Sequence, residues 1–301
     1  MKDTMTTARP MIRPRGAEAA AELLDRRISE MLGCKLMAAP QSGKCTWHRG
    51  STASLGLVER DILAWVLATS IMSSRSGSSL AYSTWFQAAI AEDRLVLADR
   101  RRVAAVVESV FGLPERPKSL QHVAGHVAEW LWYLHCQELT SPDRDVLLLE
   151  APKLSVTDGG ADGFIVWRSA TDGETSFRLW EIKKHEGSQS VGDVVGGAAR
   201  QLVSEGERYL AQLTGMHSHR NDDVGDICTQ LVDFWIDAND RAGLGISVAS
   251  DTVPAPATAF ATLAGRFPQF GQPGQVEGLL LTITDLDQLA FDVRSLLWIV
   301  L

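Results

Sequence analysis

The chain is poor in cysteine, in basic charge and in long apolar runs, and each shortage removes a class of protein. Its 301 residues hold 4 cysteines, Cys34, Cys45, Cys136 and Cys228, with no CxxC spacing among them. A disulfide scaffold is thereby excluded, and free thiols in a reducing compartment are the expectation. Cys34, Cys45 and His48 lack an evident fourth partner, so no zinc centre is argued from them. No apolar run approaches the roughly 18 residues of a membrane-spanning helix. The N-terminal MKDTMTTARPMIRPRG has no apolar segment of the secretory kind. The expectation is a cytoplasmic protein without membrane contact. Lys and Arg number 29 against 37 Asp and Glu, a net charge of −8. That balance excludes coating nucleic acid by electrostatics alone, but leaves room for an acidic site that attracts phosphate once a cation is bound. The basic clusters, Arg13 with Arg15, Arg26 with Arg27, and Arg100 to Arg102, read as solvated helix faces. APQSGKCT fails as a phosphate-binding P-loop. Its first glycine would fall at Ala38 and Cys45 stands where Ser or Thr is needed, so Gly43 and Lys44 are read as a turn.

What is present begins with a helical pattern. Ala17 to Leu36 predicts a helix ended near Gly33, and Leu55 to Met72, Thr84 to Ala98 and Arg102 to Phe111 predict three more, with a serine-rich loop at Ser73 to Ser79. Pro114 and Pro117 then break the chain, which divides it into a helical N-terminal region at 1–118 and a site-bearing region at 119–301. In the second region Val123 to Leu139 predicts a helix, Asp145 to Glu150 a short buried strand, and the segments around Asp162 and Glu181 two further strands. Gly187 to Ser190 reads as a turn and Val191 to Leu213 as a long amphipathic helix. Leu231 to Ile236 is a further apolar element, Leu244 to Ala249 and Gly278 to Thr284 are strands, and Leu286 to Leu301 is a closing helix. The fold class is therefore α/β. Trp47, Trp65, Trp85, Trp130 and Trp132 are read as core residues.

The chemistry gathers at Phe177 to Glu186, FRLWEIKKHE, where an apolar strand carries Glu181 and Lys183. Side chains alternate along a strand, so Leu179, Glu181 and Lys183 share one face. Asp172-Gly173, between strand-like runs, predicts a tight hairpin whose partners sum to 345, setting Asp162 opposite Lys183 and Phe164 opposite Glu181. Asp162, Glu181 and Lys183 then converge on one face. Two carboxylates and a lysine suit a hard divalent cation, with the lysine left for a water or a phosphate oxygen. A neutralising cluster that merely holds the hairpin register is the bland alternative. Burial argues against it, because an apolar pair would serve stability as well. Gln201 shares a helical face with Val194 and Ala198 and points inward. Lys184 is expected in solvent and His217 and His219 at the surface, while His185, for which a phosphate contact is the less favoured reading, is not counted in the site.

Asp162, eighteen residues of hairpin, then Glu181-Ile182-Lys183 resembles the D…(D/E)xK signature of the PD-(D/E)XK nuclease superfamily, with Ala161 where a proline often precedes the aspartate. The predicted succession helix, three strands, helix, strand over about Ser119 to Ala249 is similar to that superfamily's restriction-endonuclease-like αβββαβ core, a mixed central sheet flanked by helices. The resemblance implies a metal-dependent endo- or exonuclease acting on nucleic acid, DNA favoured. It implies Mg2+ or Mn2+ held by Asp162, Glu181 and the Ile182 carbonyl, with Lys183 orienting or deprotonating the attacking water. It also implies Glu129, at the matching place on the first helix, for a second metal or a metal-bound water, and Gln201 for orienting Lys183 or a phosphate. The competing reading is a catalytically silent nuclease fold that binds nucleic acid or a partner protein. A nuclease core joined to a helical region with little basic surface resembles effector subunits of bacterial antiphage defence operons, Hachiman-type systems among them, where a helicase-type ATPase partner delivers DNA.

Overall fold

A computed structural model describes residues 14, 16–37, 45–139, 144–153, 161–185, 187, 189–251 and 256–301. The Gly43-Lys44 turn, Arg13 and Arg15 lie outside them. The stretch expected as one helix to Leu36 is instead α1 (Ala17–Leu24), α2 (Ile28–Met31) and a strand, β1 (Lys35–Met37). A distant residue separates the two helices. The Glu138 carboxylate accepts from the Ile28 and Ser29 amides, both at 2.7 Å, and so caps α2 from 110 and 109 residues away.

β2 (Cys45–Ser51) follows, then α3 (Leu57–Ser76), α4 (Ala81–Ala91) and α5 (Leu97–Phe111). α3 runs through the expected serine loop as far as Ser76, because the Arg75 guanidinium donates to the Ser109 hydroxyl (2.6 Å) and the Val106 carbonyl (3.2 Å) of α5. A two-residue ribbon, β3 (Gly112–Leu113) with β4 (Arg116–Pro117), leads to α6 (Leu120–Glu138). Then come β5 (Arg144–Leu149), β6 (Gly163–Ser169), β7 (Thr175–His185), α7 (Val191–His217), α8 (Asp223–Cys228), α9 (Leu231–Ile236), β8 (Leu244–Ser250), α10 (Leu263–Arg266), β9 (Val276–Thr282) and α11 (Leu286–Trp298). From α6 to β8 the order is thus helix, three strands, a long helix with two short ones, and a strand. Among the described residues no helix is long and apolar enough to cross a membrane.

Seven strands form one mixed sheet in the order β1-β2-β9-β8-β7-β6-β5. β2, β9, β8 and β7 run parallel, while β1, β6 and β5 are antiparallel to their neighbours. The region 1–118, read as helical, therefore also supplies two strands, and β2 lies along β9 from Cys45↔Val276 to Ser51↔Thr282. β5 is an edge strand, partly exposed rather than buried, with a bulge between Val146 and Leu148.

Helices cover both faces, and alternation sorts the strands between two apolar clusters. Phe164, Val166, Phe177 and Leu179 face α7 and its followers. Ile165, Trp167, Trp180 and Ile182 face α3, α5, α6 and α11. The five tryptophans expected in the core are all there.

Candidate functional site

The hairpin turn is longer than the Asp172-Gly173 pair alone suggests. Ser169 and Glu174 close it, the Ser169 amide donating to the Glu174 carbonyl (2.8 Å) and the Gly173 amide to the Ser169 carbonyl (3.0 Å). Gly173 has φ 76° and Asp172 does not turn left-handed, so the tight two-residue turn, which needs positive φ at both centres, is not formed. The Asp172 carboxylate instead accepts from the Glu174 amide at 3.0 Å. Partners consequently sum to 343: Phe164 faces Leu179 instead of Glu181, and Gly163 faces Trp180. Asp162 thus stands beside Glu181, not opposite Lys183. A shift of two residues leaves every side chain on its original face, so the convergence of Asp162, Glu181 and Lys183 survives the altered register.

Asp162 stands just before β6, where its Oδ2 accepts from the Ile182 amide at 2.9 Å. The amide and carbonyl of a strand residue project to the same side, so the Ile182 carbonyl also faces the Asp162 end of β6. Glu181 is fully buried. Its Oε1 accepts from Lys183 Nζ, while its buried Oε2 has no donor among the described residues and the Asp162 carboxylate lies close enough for the two acids to share a proton. Lys183 Nζ also donates to Gln201 Oε1 (3.1 Å), and Gln201 Nε2 donates to the Tyr209 hydroxyl (3.1 Å). Both last residues lie on α7, whose start is set by a capping box of Ser190 and Asp193.

Charge at this point is unbalanced. Burial first, then the neighbouring Asp162 carboxylate, push the Glu181 carboxyl up to about 8. Burial also raises the Asp162 carboxyl, against the Ile182 amide and Lys183, which act to lower it. Burial works to lower Lys183, but the attraction of Glu181 and Asp162 outweighs it and holds the ammonium above its ordinary value. Two acids facing each other with one shared lysine leave an excess negative charge that a proton or a cation between them would relieve.

Glu129 approaches from the other layer. Gly163 admits the Trp132 ring of α6 so closely that a Cβ there would stand 2.3 Å from it, which seats α6 against the start of β6. Glu129, one turn earlier and partly exposed, is near enough to raise the Asp162 carboxyl. Its orientation comes from a residue that sequence reasoning missed. His126 is fully buried, and its Nε2 receives the Trp130 indole N–H at 2.8 Å. Nδ1 therefore carries the proton and donates to Glu129 Oε2 at 3.1 Å. The i, i+3 spacing of His126 and Glu129 was the available signal. Tyr209 was missed as well, although it sits two turns beyond Gln201.

The other singled-out side chains lie apart. His185 is buried, joined through Nδ1 to the Ser250 hydroxyl (2.9 Å) and donating from Nε2 to the Gln189 carbonyl (2.6 Å), so it ties the start of α7 to β8 rather than meeting a ligand. Lys184 bonds Gln121 Oε1. His217 is partly buried, 2.7 Å from Glu150, and His219 is exposed. β2 turns Cys45 and His48 to opposite faces, so they cannot share a metal. Arg100 and Arg102 are paired with Glu115 and Asp99. A cavity of about 480 Å³ lies on the opposite sheet face, lined by His48, His135, Trp167 and Glu277 among others. There Arg144 bonds Glu277 at 2.8 Å and packs on Trp167 at 4.4 Å, and the buried Arg178 lies 4.0 Å from the same carboxylate.

Among the described residues no group of three His, Cys, Asp or Glu side chains gathers to hold a metal. A two-carboxylate set still suits Mg2+, which takes one or two carboxylates from protein and the rest from water and substrate. The Glu181 Oε2, which lacks a donor, fits such a cation. No family model and no curated protein matches the chain.

Proposed function

We propose that the chain is a metal-dependent nuclease that hydrolyses phosphodiester bonds, DNA being the favoured substrate. One observation carries the reading: Asp162 and a fully buried Glu181 with an oxygen that lacks a donor stand together beside a lysine anchored on Gln201. The order helix, three strands, helix, strand supports a restriction-endonuclease-like core. Asp162, Glu181 and the Ile182 carbonyl would hold Mg2+ or Mn2+, which when bound supplies Lewis-acid stabilisation of charge on the phosphate. Gln201, itself steadied by Tyr209, fixes the Lys183 ammonium, so Lys183 can orient a water and hold or pass its proton. Glu129, aimed by His126, adds a carboxylate at the entrance that can orient a second water. The charge of −8 supports delivery of DNA by a partner, such as a helicase-type ATPase of an antiphage defence system.

The test is to incubate the purified chain with plasmid, single-stranded DNA and RNA in Mg2+, Mn2+ or EDTA. Cation-dependent cutting, lowered on the order of a hundredfold or more in a folded Lys183→Ala variant, is expected. Cutting in EDTA would refute the cation's role. Binding without cutting under every condition, with a helicase partner included, would favour the silent module.

A further inference from the structure

Beside Lys183 an open groove of about 400 Å³ runs along the first turns of α7, lined by Lys184, Gln189, Asp193, Gly197 and Arg200. Arg200 and Arg266 of α10 are both exposed. Both guanidinium groups reach the same bare stretch of helix: from the point where a Cβ on Gly196 would stand, an Arg266 terminal nitrogen is at 2.9 Å and an Arg200 terminal nitrogen at 3.7 Å. Among the described residues neither makes an ion pair within 4 Å, and Arg200 acts on the Asp193 carboxylate only at longer range. Arg102, Arg116 and Arg208 by contrast pair with Asp99 (2.6 Å), Glu108 (3.0 Å) and Glu205 (2.7 Å). Asp193 shares the groove, but its Oδ2 is taken up by the Ser190 amide (3.3 Å) and hydroxyl (2.7 Å) at the helix cap. Two guanidinium groups are thus brought to one stretch of helix in an acidic protein, and the one carboxylate beside them, Asp193, is near enough to feel Arg200 yet already serves the helix cap. A planar guanidinium pair presents its N–H groups in the arrangement that a phosphate accepts, and glycine leaves room for it against the backbone.

We propose that Arg200 and Arg266, meeting over the Gly196-Gly197 step of α7, grip a backbone phosphate of the nucleic-acid strand that enters along the Lys183 groove. This rests on the nuclease reading and adds which surface tracks the strand. The test uses the full chain and labelled single- and double-stranded oligonucleotides in EDTA, so that binding is measured without cutting over a range of NaCl concentrations. Arg200→Ala and Arg266→Ala should each weaken binding on the order of three- to tenfold and make the salt dependence shallower by roughly one phosphate contact. Gly196→Ala keeps every charge and favours the helix, yet its Cβ displaces Arg266, so a similar loss of affinity is expected. Arg102→Ala, a charge change elsewhere, should bind as wild type. If all three groove variants bind as wild type while the wild-type chain binds and cuts, this inference fails and the nuclease reading stands. If those variants lose polyglutamate binding instead, the pair belongs to an acidic protein partner and the proposal is overturned. If the wild-type chain binds no nucleic acid at any salt concentration, this inference falls, and the nuclease reading is then decided by cutting with a helicase-type partner present.

Discussion

Replacing Glu181 by glutamine separates a cation seat from a structural ion pair, because the two assign opposite signs to its effect on stability. Glutamine keeps the shape and a carbonyl oxygen for Lys183, but removes the buried charge. The folded protein raises this carboxyl from 4.5 to about 8. The native state thus prefers the protonated form: the stability it confers is complete below 4.5, falls progressively as pH rises, and is lost once pH passes about 8. At pH 7 the ionised unfolded state is favoured by about 3 kcal/mol through this group alone. Glu181→Gln should therefore stabilise the metal-free chain at pH 7 by up to about 3 kcal/mol, or roughly 5 °C in Tm. The gain should vanish near pH 4 and level off above pH 8. Urea unfolding in EDTA between pH 4 and 9 measures it. Adding Mg2+ should stabilise the wild type and leave the variant unmoved, since only the wild type retains the binding carboxylate. Destabilisation of the variant at pH 7 by the 3–5 kcal/mol typical of a broken buried pair would refute the reasoning. So would cleavage that survives the substitution.

Three further outcomes follow from the same geometry. Gly163→Ala forces Trp132 away from a contact of 2.3 Å and should cost about 2–3 kcal/mol in chemical denaturation, with loss of activity as α6 and Glu129 shift. His126→Leu removes the donor that aims Glu129 and should lower kcat about tenfold, whereas His126→Gln, which can accept from Trp130 and donate to Glu129, should recover part of it; equal loss in both would assign His126 to packing alone. Gly173→Val places a branched residue at φ 76° and should destabilise the chain by about 1–2 kcal/mol without changing the cation dependence of cleavage, since the turn lies far along the hairpin from Asp162.

The helices around Glu129 and Gln201, and the strands around Asp162, Glu181 and Leu244, were legible because their apolar spacing is local. The register was not. Asp172-Gly173 is equally at home in a two-residue turn and in the four-residue loop that the Ser169–Glu174 pair closes, and neighbouring side chains decide between them. The local pattern carries α1 too far because the carboxylate that caps α2, Glu138, lies far along the chain.

Strand periodicity by itself determined that Glu181 and Lys183 share a face, and the hairpin's even register kept Asp162 with them whether partners sum to 345 or 343. Only tertiary structure decided that β2 joins β9, that His126 aims Glu129, and that Arg200 meets Arg266. Each of these depends on which distant surface packs against which, and local spacing carries no information about that choice.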